Sequence, residues 1–158
     1  MRKITPFLWF DGQAEEAARF YVSVFKNSKI NGITHYGDEV PGREGSVMTV
    51  GFELNGEKFI ALNGGPQFQF TEAVSFVVNC ETQEEIDYYW EKLASGGGSE
   101  IQCGWVKDRF GLAWQVVPSV FWKWTEADNA AGMNRVMHAL MQMTKLDLAT
   151  LQRAYDGN

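Results

Sequence analysis

Gln115 is the residue whose type and position most directly point to chemistry, because it lies between Trp114 and Val116 in an otherwise apolar segment. A polar side chain in such a segment must be satisfied by a protein group, a water molecule or a ligand. An amide can hydrogen-bond or polarise a small molecule, but alone it cannot hold a metal ion. Gln115 is therefore the first candidate for a binding residue.

The residues around Gln115 predict a β-hairpin that sets its orientation. Residues 105–106 supply one strand, residues 108–111 the turn, and residues 112–117 the returning strand. The turn contains Asp and Phe-Gly, which suits a last position with positive φ, and Pro118 ends the ladder because it cannot donate. An ordinary buried hairpin is the alternative interpretation, and the pattern leaves both open.

The other reactive side chains form no recognisable catalytic or metal-binding motif. Cys80 and Cys103 lack metal-ligand spacing and cannot build a disulfide framework, and His35 and His138 do not form a spaced pair. Cys103 as a nucleophile would need a neighbouring base, so a small buried thiol is the simpler interpretation. The sequence therefore singles out no catalytic residue.

Composition excludes several classes of partner. The chain has 158 residues, 45% of them apolar and 14% aromatic, with a formal charge of −6 from 14 basic and 20 acidic residues. Without a basic cluster longer than Arg2-Lys3, no nucleic-acid partner is expected. No apolar run approaches the roughly 20 residues of a membrane span, and the start lacks the apolar core of a signal peptide. Together with the two cysteines, this predicts a cytoplasmic protein without a membrane partner.

The same order of elements is predicted twice along the chain. The first copy comprises a strand, a helix and three strands at residues 4–10, 13–25, 30–36, 46–54 and 57–63. Asn55-Gly56 is a strong hairpin signal between its last two strands. The second copy has a strand at residues 73–79, a helix that begins at a Thr82 capping box and stops at Gly96, and three strands up to Val117.

This internal repeat predicts an α+β fold of two βαβββ modules with a C-terminal helical tail. The modules occupy about residues 1–66 and 67–118 of a single domain, and the tail occupies about residues 119–158. Two such modules are expected to form a curved mixed sheet with the helices on its convex side. Alternate strand residues would then line a concave cup.

Three groups of residues carry a resemblance to a known superfamily. They are Phe10-Asp11-Gly12 with Glu15-Glu16-Ala17 and Phe20-Tyr21, Asp108-Arg109-Phe110-Gly111 with Trp114-Gln115 and Pro118, and Met141-Gln142-Met143-Thr144-Lys145-Leu146-Asp147-Leu148 with Ala154-Tyr155. The chain resembles the vicinal oxygen chelate superfamily of glyoxalases and bleomycin-resistance proteins. More closely it is similar to the PhnB-like branch, labelled the 3-demethylubiquinone-9 3-methyltransferase family, over nearly the whole chain.

The resemblance implies a divalent metal in the cup, held from four strands at the positions of Pro6, Ala61, Ser75 and Gln115. Proline and alanine offer no donor and serine little, whereas a catalytic zinc typically takes three protein ligands from His, Asp, Glu or Cys. We therefore expect no metal and no cofactor. A metal-dependent enzyme of the glyoxalase or dioxygenase type is the alternative.

The methyltransferase label implies a chemistry that the sequence does not support. Methyltransferases that use S-adenosylmethionine normally carry a glycine-rich loop after a parallel strand. The Gly96-Gly97-Gly98 run follows a helix instead and is typical of a helix stop. Methyl transfer is therefore not expected.

Alternation along the strands predicts which side chains line the cup. Counting outward from the three strand positions Ala61, Ser75 and Gln115 gives a set of aromatic, thiol and neutral polar residues. Its members are Gln115, Trp105, Phe59, Asn63, Ser75 and Cys103. This set would suit a neutral, partly aromatic small organic ligand, although Trp105 and Phe59 as ordinary core residues are the alternative.

The segment after Pro118 lies outside the repeats and is rich in apolar residues. It contains Phe121-Trp122-Lys123-Trp124, a predicted helix at residues 129–143 with several methionines, and a short helix capped by Asp147. Packing on its own subunit is one interpretation. The other is the contact of a homodimer, which we expect because the repeats already complete a core.

Overall fold

The computed structural model describes residues 2–158 of the chain. The chain divides into two compact units, the first ending at Phe70 and the second beginning at Thr71. Each unit contains one mixed four-stranded sheet with the βαβββ order, and the second unit also carries the C-terminal helices. The predicted α+β class with two such modules and a helical tail is confirmed.

The first unit contains β1 (Phe7–Phe10), α1 (Ala14–Val24), β2 (Lys29–His35), β3 (Val47–Leu54) and β4 (Glu57–Asn63). The sheet order is β1-β4-β3-β2, with β1 parallel to β4 and the other pairs antiparallel. The predicted turn joins β3 to β4, where Asn55 and Gly56 have φ values of 49° and 82°. Two consecutive positive φ angles are what a tight hairpin turn with the twist of its strands requires.

Helix α1 packs on the first sheet through small residues and one aromatic ring. Its buried residues are Ala14, Ala17, Ala18, Tyr21 and Val24. Tyr21 stacks on Phe52 of β3 with ring centroids 6.2 Å apart, and Phe52 stacks at 5.4 Å on Phe59, its direct neighbour in β4. Phe59 therefore belongs to the side of the sheet that meets α1.

The second unit contains β5 (Ser75–Cys80), α2 (Gln83–Ala94), β6 (Ser99–Glu100), β7 (Trp105–Lys107) and β8 (Ala113–Pro118). The sheet order is β5-β8-β7-β6, with β5 parallel to β8. The predicted cap begins α2, since Oγ1 of Thr82 accepts the N–H of Glu85 at 3.2 Å. The Glu85 carboxylate in turn accepts the N–H of Glu81 at 2.7 Å, which fixes the entry into the helix.

A buried carboxylate organises the hairpin of β7 and β8. Asp108 is 3% exposed, and its Oδ1 accepts the N–H groups of Phe110 at 2.9 Å and Leu112 at 3.1 Å. Its Oδ2 accepts the indole N–H of Trp114 at 2.8 Å. Gly111 closes the turn with a φ of 93°, as its position predicts. These bonds fix the turn and, through Trp114, the side of the sheet on which each residue of β8 lies.

Three helices form the tail, α3 (Val120–Glu126), α4 (Ala130–Leu140) and α5 (Leu148–Asp156). Their buried side chains form one cluster with the end of β8, consisting of Val117, Trp124, Val136, Leu140, Leu146 and Leu151. Asp147 caps α5 as predicted, accepting the N–H of Thr150 at 2.7 Å. The tail thus packs on its own unit. None of the described helices is both long and apolar enough to cross a membrane.

Candidate functional site on the second sheet

Gln115 lies in the central row of one face of the second sheet. We call the side of each sheet that points away from its long helix, α1 or α2, the distal face. Val77 and Trp105 lie directly opposite Gln115 in the two neighbouring strands, so the three side chains share one face. Trp114 and Val116 are 3% and 0% exposed and belong to the opposite, α2-facing side. Gln115 and Trp105 thus share the face opposite α2, as counting from the turn predicts, and a concave cup lined by them stays a prediction.

The amide of Gln115 uses only part of its hydrogen-bonding capacity. Its Nε2 donates to Oγ of Ser75 at 2.9 Å, so a polar neighbour satisfies the donor. Its Oε1 accepts no hydrogen bond from any residue that the structure describes. Gln115 and Trp105 are half-buried and Val77 is exposed. One acceptor therefore remains available between an indole ring and an aliphatic side chain.

An ion pair borders this row. Nζ of Lys107 lies 2.5 Å from Oε1 of Glu72, and in register Lys107, Ala113 and Ser75 form the row next to that of Gln115. The hydrogen bond from the Lys107 ammonium lowers the pKa of the Glu72 carboxyl. The ammonium and the carboxylate compensate each other, which leaves no net charge beside the amide.

The face predicted for Phe59 and Asn63 is wrong. Phe59 is 9% exposed and stacks on Phe52 on the α1 side. Asn63 Oδ1 accepts the N–H of Ala14 at 2.8 Å, and Nδ2 donates to the carbonyl of Val47 at 3.1 Å, so this amide caps α1. β4 is apolar on both faces, so its alternation does not show which face meets the helix, and the assumed register was one residue off.

Cys103 also departs from its predicted place. It lies in a turn with a φ of 64°, packs against the tail cluster, and donates its N–H to the carbonyl of Met143 at 2.8 Å. The strand alternation does not reach it because the tail holds this turn. Burial raises the pKa of the other thiol, Cys80, to about 12, and Glu85 and Glu81 add to the shift. Cys80 is therefore neutral and unreactive at physiological pH.

The positions that the resemblance implies for a metal do not supply a ligand set. Ala61 is buried on the α1 side, and shifting the register of β4 brings only apolar neighbours such as Ile60 to the distal face. Ser75 and Gln115 are neutral and hydrogen-bonded to each other. The described residues contain no group of three or more His, Cys, Asp or Glu side chains that could hold a metal ion. These residues do not fit a divalent metal, and a metal-free site stays a prediction.

Two cavities lie elsewhere, and neither is lined by Gln115 or Trp105. The first, of about 340 Å³, belongs to the first unit and is lined by residues at the carboxyl ends of β1 and β4, with Arg43 from the loop before β3. The second, of about 510 Å³, belongs to the second unit and lies among the start of α2, the end of β8 and α5. Sequence reasoning missed Arg43 because its segment is typical of a polar loop.

The family model described as 3-demethylubiquinone-9 3-methyltransferase matches residues 2–117. The match ends before the helical tail, so the resemblance expected over nearly the whole chain is shown for the two modules. A PhnB protein from Bacillus cereus is 40% identical, with a TM-score of 0.67, and the alignment covers 74% of this chain and 99% of that one. No curated protein matches.

More distant solved structures share the fold alone. Protein PA1353 from Pseudomonas aeruginosa is 22% identical with a TM-score of 0.61, and the alignment covers 73% of this chain and 96% of that one. FosX from Listeria monocytogenes, a fosfomycin resistance protein solved with Mn(II) and sulfate, is 13% identical with a TM-score of 0.51, covering 75% and 91%. From the family match and the Bacillus cereus relative, the chain belongs to the 3-demethylubiquinone-9 3-methyltransferase family, the PhnB-like branch of the vicinal oxygen chelate fold.

Proposed function

We propose that this protein binds a neutral, partly aromatic small organic molecule on the distal face of the second sheet, without a catalytic metal. The observation that carries the proposal is the Gln115 amide, whose Oε1 has no partner among the described residues while Trp105 and Val77 flank it. An apolar surface with one directional acceptor is the usual composition of a small-molecule site. The acceptor selects a ligand that carries a hydroxyl or N–H donor.

Charge supports a neutral ligand over an ionic one. The charged groups that border this row are Lys107 of β7 and Glu72 from the segment before β5, and they are paired with each other at 2.5 Å. A charged ligand would have to compete with that pair or be desolvated without a partner, which costs free energy. A neutral planar ligand can instead stack on the Trp105 indole without bringing a charge onto this face.

The test is a Gln115→Leu variant assayed by tryptophan fluorescence against a library of neutral aromatic compounds. Leucine has a similar shape and suits an apolar strand, so the thermal midpoint should change little. Binding that quenches fluorescence in the native protein should weaken about tenfold or more, because a ligand donor would lose its acceptor. In Trp105→Phe the fluorescence change on ligand binding should disappear, which would identify Trp105 as the residue whose emission is quenched.

Gln142→Leu is the matched control, since Gln142 is exposed in the tail. It should bind the same compounds as the native protein. The proposal would be contradicted if Gln115→Leu bound the compounds unchanged, or if no compound of the library bound the native protein. Elemental analysis that finds about one metal ion per chain, lost in Gln115→Leu, would instead favour the metal-dependent enzyme.

The proposal also includes a homodimer that uses the tail. Most apolar tail residues are buried in their own unit, but Trp122, Met137 and Met141 remain 41%, 39% and 63% exposed. Exposed apolar side chains on adjacent helices favour a contact with a second copy. Sedimentation at micromolar concentration should show a dimer, and Met141→Lys should weaken it about tenfold. A monomer under these conditions would contradict the dimer.

A further inference from the structure

The cavity of the first unit contains opposite charges that are not paired with each other. It has a volume of about 340 Å³, within the range of small-ligand sites, and its lining includes Asp11, Glu15, Tyr36 and Arg43. β1 and β4 are parallel, so Asp11, which follows β1, and the residues that follow β4 meet at one edge of the sheet. Side chains at the carboxyl ends of parallel strands commonly form binding sites.

The guanidinium of Arg43 is held in place by neutral groups. Its Nη1 lies 3.5 Å from the hydroxyl of Tyr36 and 3.4 Å from the carbonyl oxygen of Asn63. The guanidinium carbon lies 5.6 Å from the centre of the Tyr36 ring, and the Tyr36 hydroxyl itself donates to the Asn63 carbonyl at 2.5 Å. A Cβ on Gly65 would lie only 2.7 Å from Nη2 of Arg43, so the absence of a side chain at Gly65 makes space for the guanidinium.

The positive charge of Arg43 has no counterion. Its side chain is half-buried, and no carboxylate of the described residues is ion-paired with it. Its Nε and Nη2 donate no hydrogen bond within the described part of the chain, which leaves two adjacent donors of the planar group available. Two such donors match the two oxygens of a carboxylate.

The negative charge of Asp11 is also uncompensated. Glu15 is ion-paired with Arg19 at 2.8 Å, whereas residues 2–158 supply no cation paired with Asp11. Asp11 and Arg43 line the same cavity without bonding to each other. A ligand that carries both an anionic and a cationic group can therefore pair with both side chains at once.

We propose that this cavity binds a small zwitterion, a free amino acid, whose carboxylate pairs with Arg43 and whose ammonium pairs with Asp11. The site is separate from the distal face of the second sheet, and its ligand class differs from the neutral molecule proposed there. A simple anion would leave Asp11 unpaired and near its own charge, and a simple amine would do the same to Arg43. The zwitterion alone satisfies both.

The test is titration calorimetry of the intact protein with the proteinogenic amino acids, each at millimolar concentration. At least one amino acid should bind. Its deaminated and decarboxylated analogues, which keep the side chain but lose one charge, should each bind about tenfold more weakly or worse, because each loses a charge-assisted hydrogen bond. Arg43→Gln and Asp11→Asn should each reduce the affinity of the parent amino acid by a similar factor.

Two matched variants control for general effects of charge. Lys26→Gln and Asp38→Asn remove exposed charges of the same unit that do not line the cavity, and both should bind as the native protein does. Asp11 is exposed, so Asp11→Asn keeps the test valid even if Arg43→Gln disturbs its loop. The proposal is overturned if no amino acid binds, if Asp11→Asn binds unchanged, or if the deaminated analogue binds as tightly as its parent.

Discussion

The two units repeat one order of elements but specify their last hairpins differently. In the first unit, Asn55 and Gly56 make the turn through positive φ angles, and the hydroxyl of Ser28, outside the hairpin, accepts the N–H of Asn55 at 3.2 Å. In the second unit, the buried carboxylate of Asp108 gathers two backbone N–H groups and the indole of Trp114. The turn of the second unit thus fixes a side chain as well as a loop. The orientation of β8 could be counted from its turn, whereas the central residues of β4 are apolar on both faces and gave no such reference.

The distal faces differ in the same way. The second sheet places Gln115 and Ser75, bonded at 2.9 Å, in its central rows. The corresponding face of the first sheet carries Ile60 and Leu62 of β4, which are apolar, and a pair of threonines farther out. The central row of β8 on this face thus carries an amide, whereas β4 carries Ile60 and Leu62 there and its polar residue, Lys58, lies near the strand start. The repeat supplies two similar frames, and only one of them carries the proposed site for a neutral ligand.

The largest expected effect is that of Asp108→Ala on stability. The change removes a buried carboxylate and leaves three N–H donors, those of Phe110, Leu112 and the Trp114 indole, without their acceptor. The free energy of unfolding should fall by about 3 kcal/mol, measured by urea denaturation. Asp128→Ala, at an exposed position, should change it by less than about 0.5 kcal/mol. Equal effects of the two variants would remove the argument that Asp108 anchors the hairpin.

Sequence reasoning succeeded where a side chain or a strong turn fixes the local geometry. The βαβββ order, the Asn55-Gly56 turn, the Thr82 cap and the orientation of Gln115 all follow from short-range physics. It failed for Phe59 and Cys103, whose positions depend on helices that pack from elsewhere in the chain.

The roles of Arg43 and Asp108 were missed from the sequence for different reasons. Arg43 lies in a loop, and only the fold brings it to the Asn63 carbonyl. Asp108 carried a signal, since an acidic residue in a tight turn of an apolar hairpin often accepts backbone N–H groups. Its bond to the Trp114 indole, however, depends on which way the returning strand faces.

A smaller effect is expected from Asn63→Ala, which compares how the two long helices begin. The N-terminus of α2 is capped by the adjacent Thr82, whereas that of α1 depends on Asn63 from β4, a residue far along the chain. Asn63→Ala removes the acceptor of the Ala14 N–H and the donor to the Val47 carbonyl. We expect a loss of about 2 kcal/mol, against about 1 kcal/mol for Thr82→Ala, by urea denaturation.

This comparison also tests the corrected register of β4. If Asn63 lay on the distal face, as the sequence predicted, its replacement by alanine would cost little stability and would alter only ligand binding. A change in the free energy of unfolding below that of Thr82→Ala would thus argue against the observed cap.

The smallest effect concerns the helical tail, which only the second unit carries, and its dependence on pH. Asp147 caps α5 and accepts the N–H of Thr150 at 2.7 Å. Hydrogen bonds from the hydroxyl and the N–H of Thr150 lower the pKa of the Asp147 carboxyl. A lowered pKa in the folded state means that the carboxylate stabilises the fold above the ordinary aspartate pKa of about 3.9. This stabilisation is lost as the pH falls through the lower pKa of the folded protein. Asp147→Ala should therefore cost about 1 kcal/mol at neutral pH and progressively less in acid.

Asp147→Asn is the matched variant, because asparagine caps a helix about as well but does not titrate. Urea denaturation from neutral to acidic pH should show the native protein losing stability relative to Asp147→Asn only at the acidic end. A constant difference between these two proteins at every pH would show that the charge of Asp147 does not contribute to holding the tail.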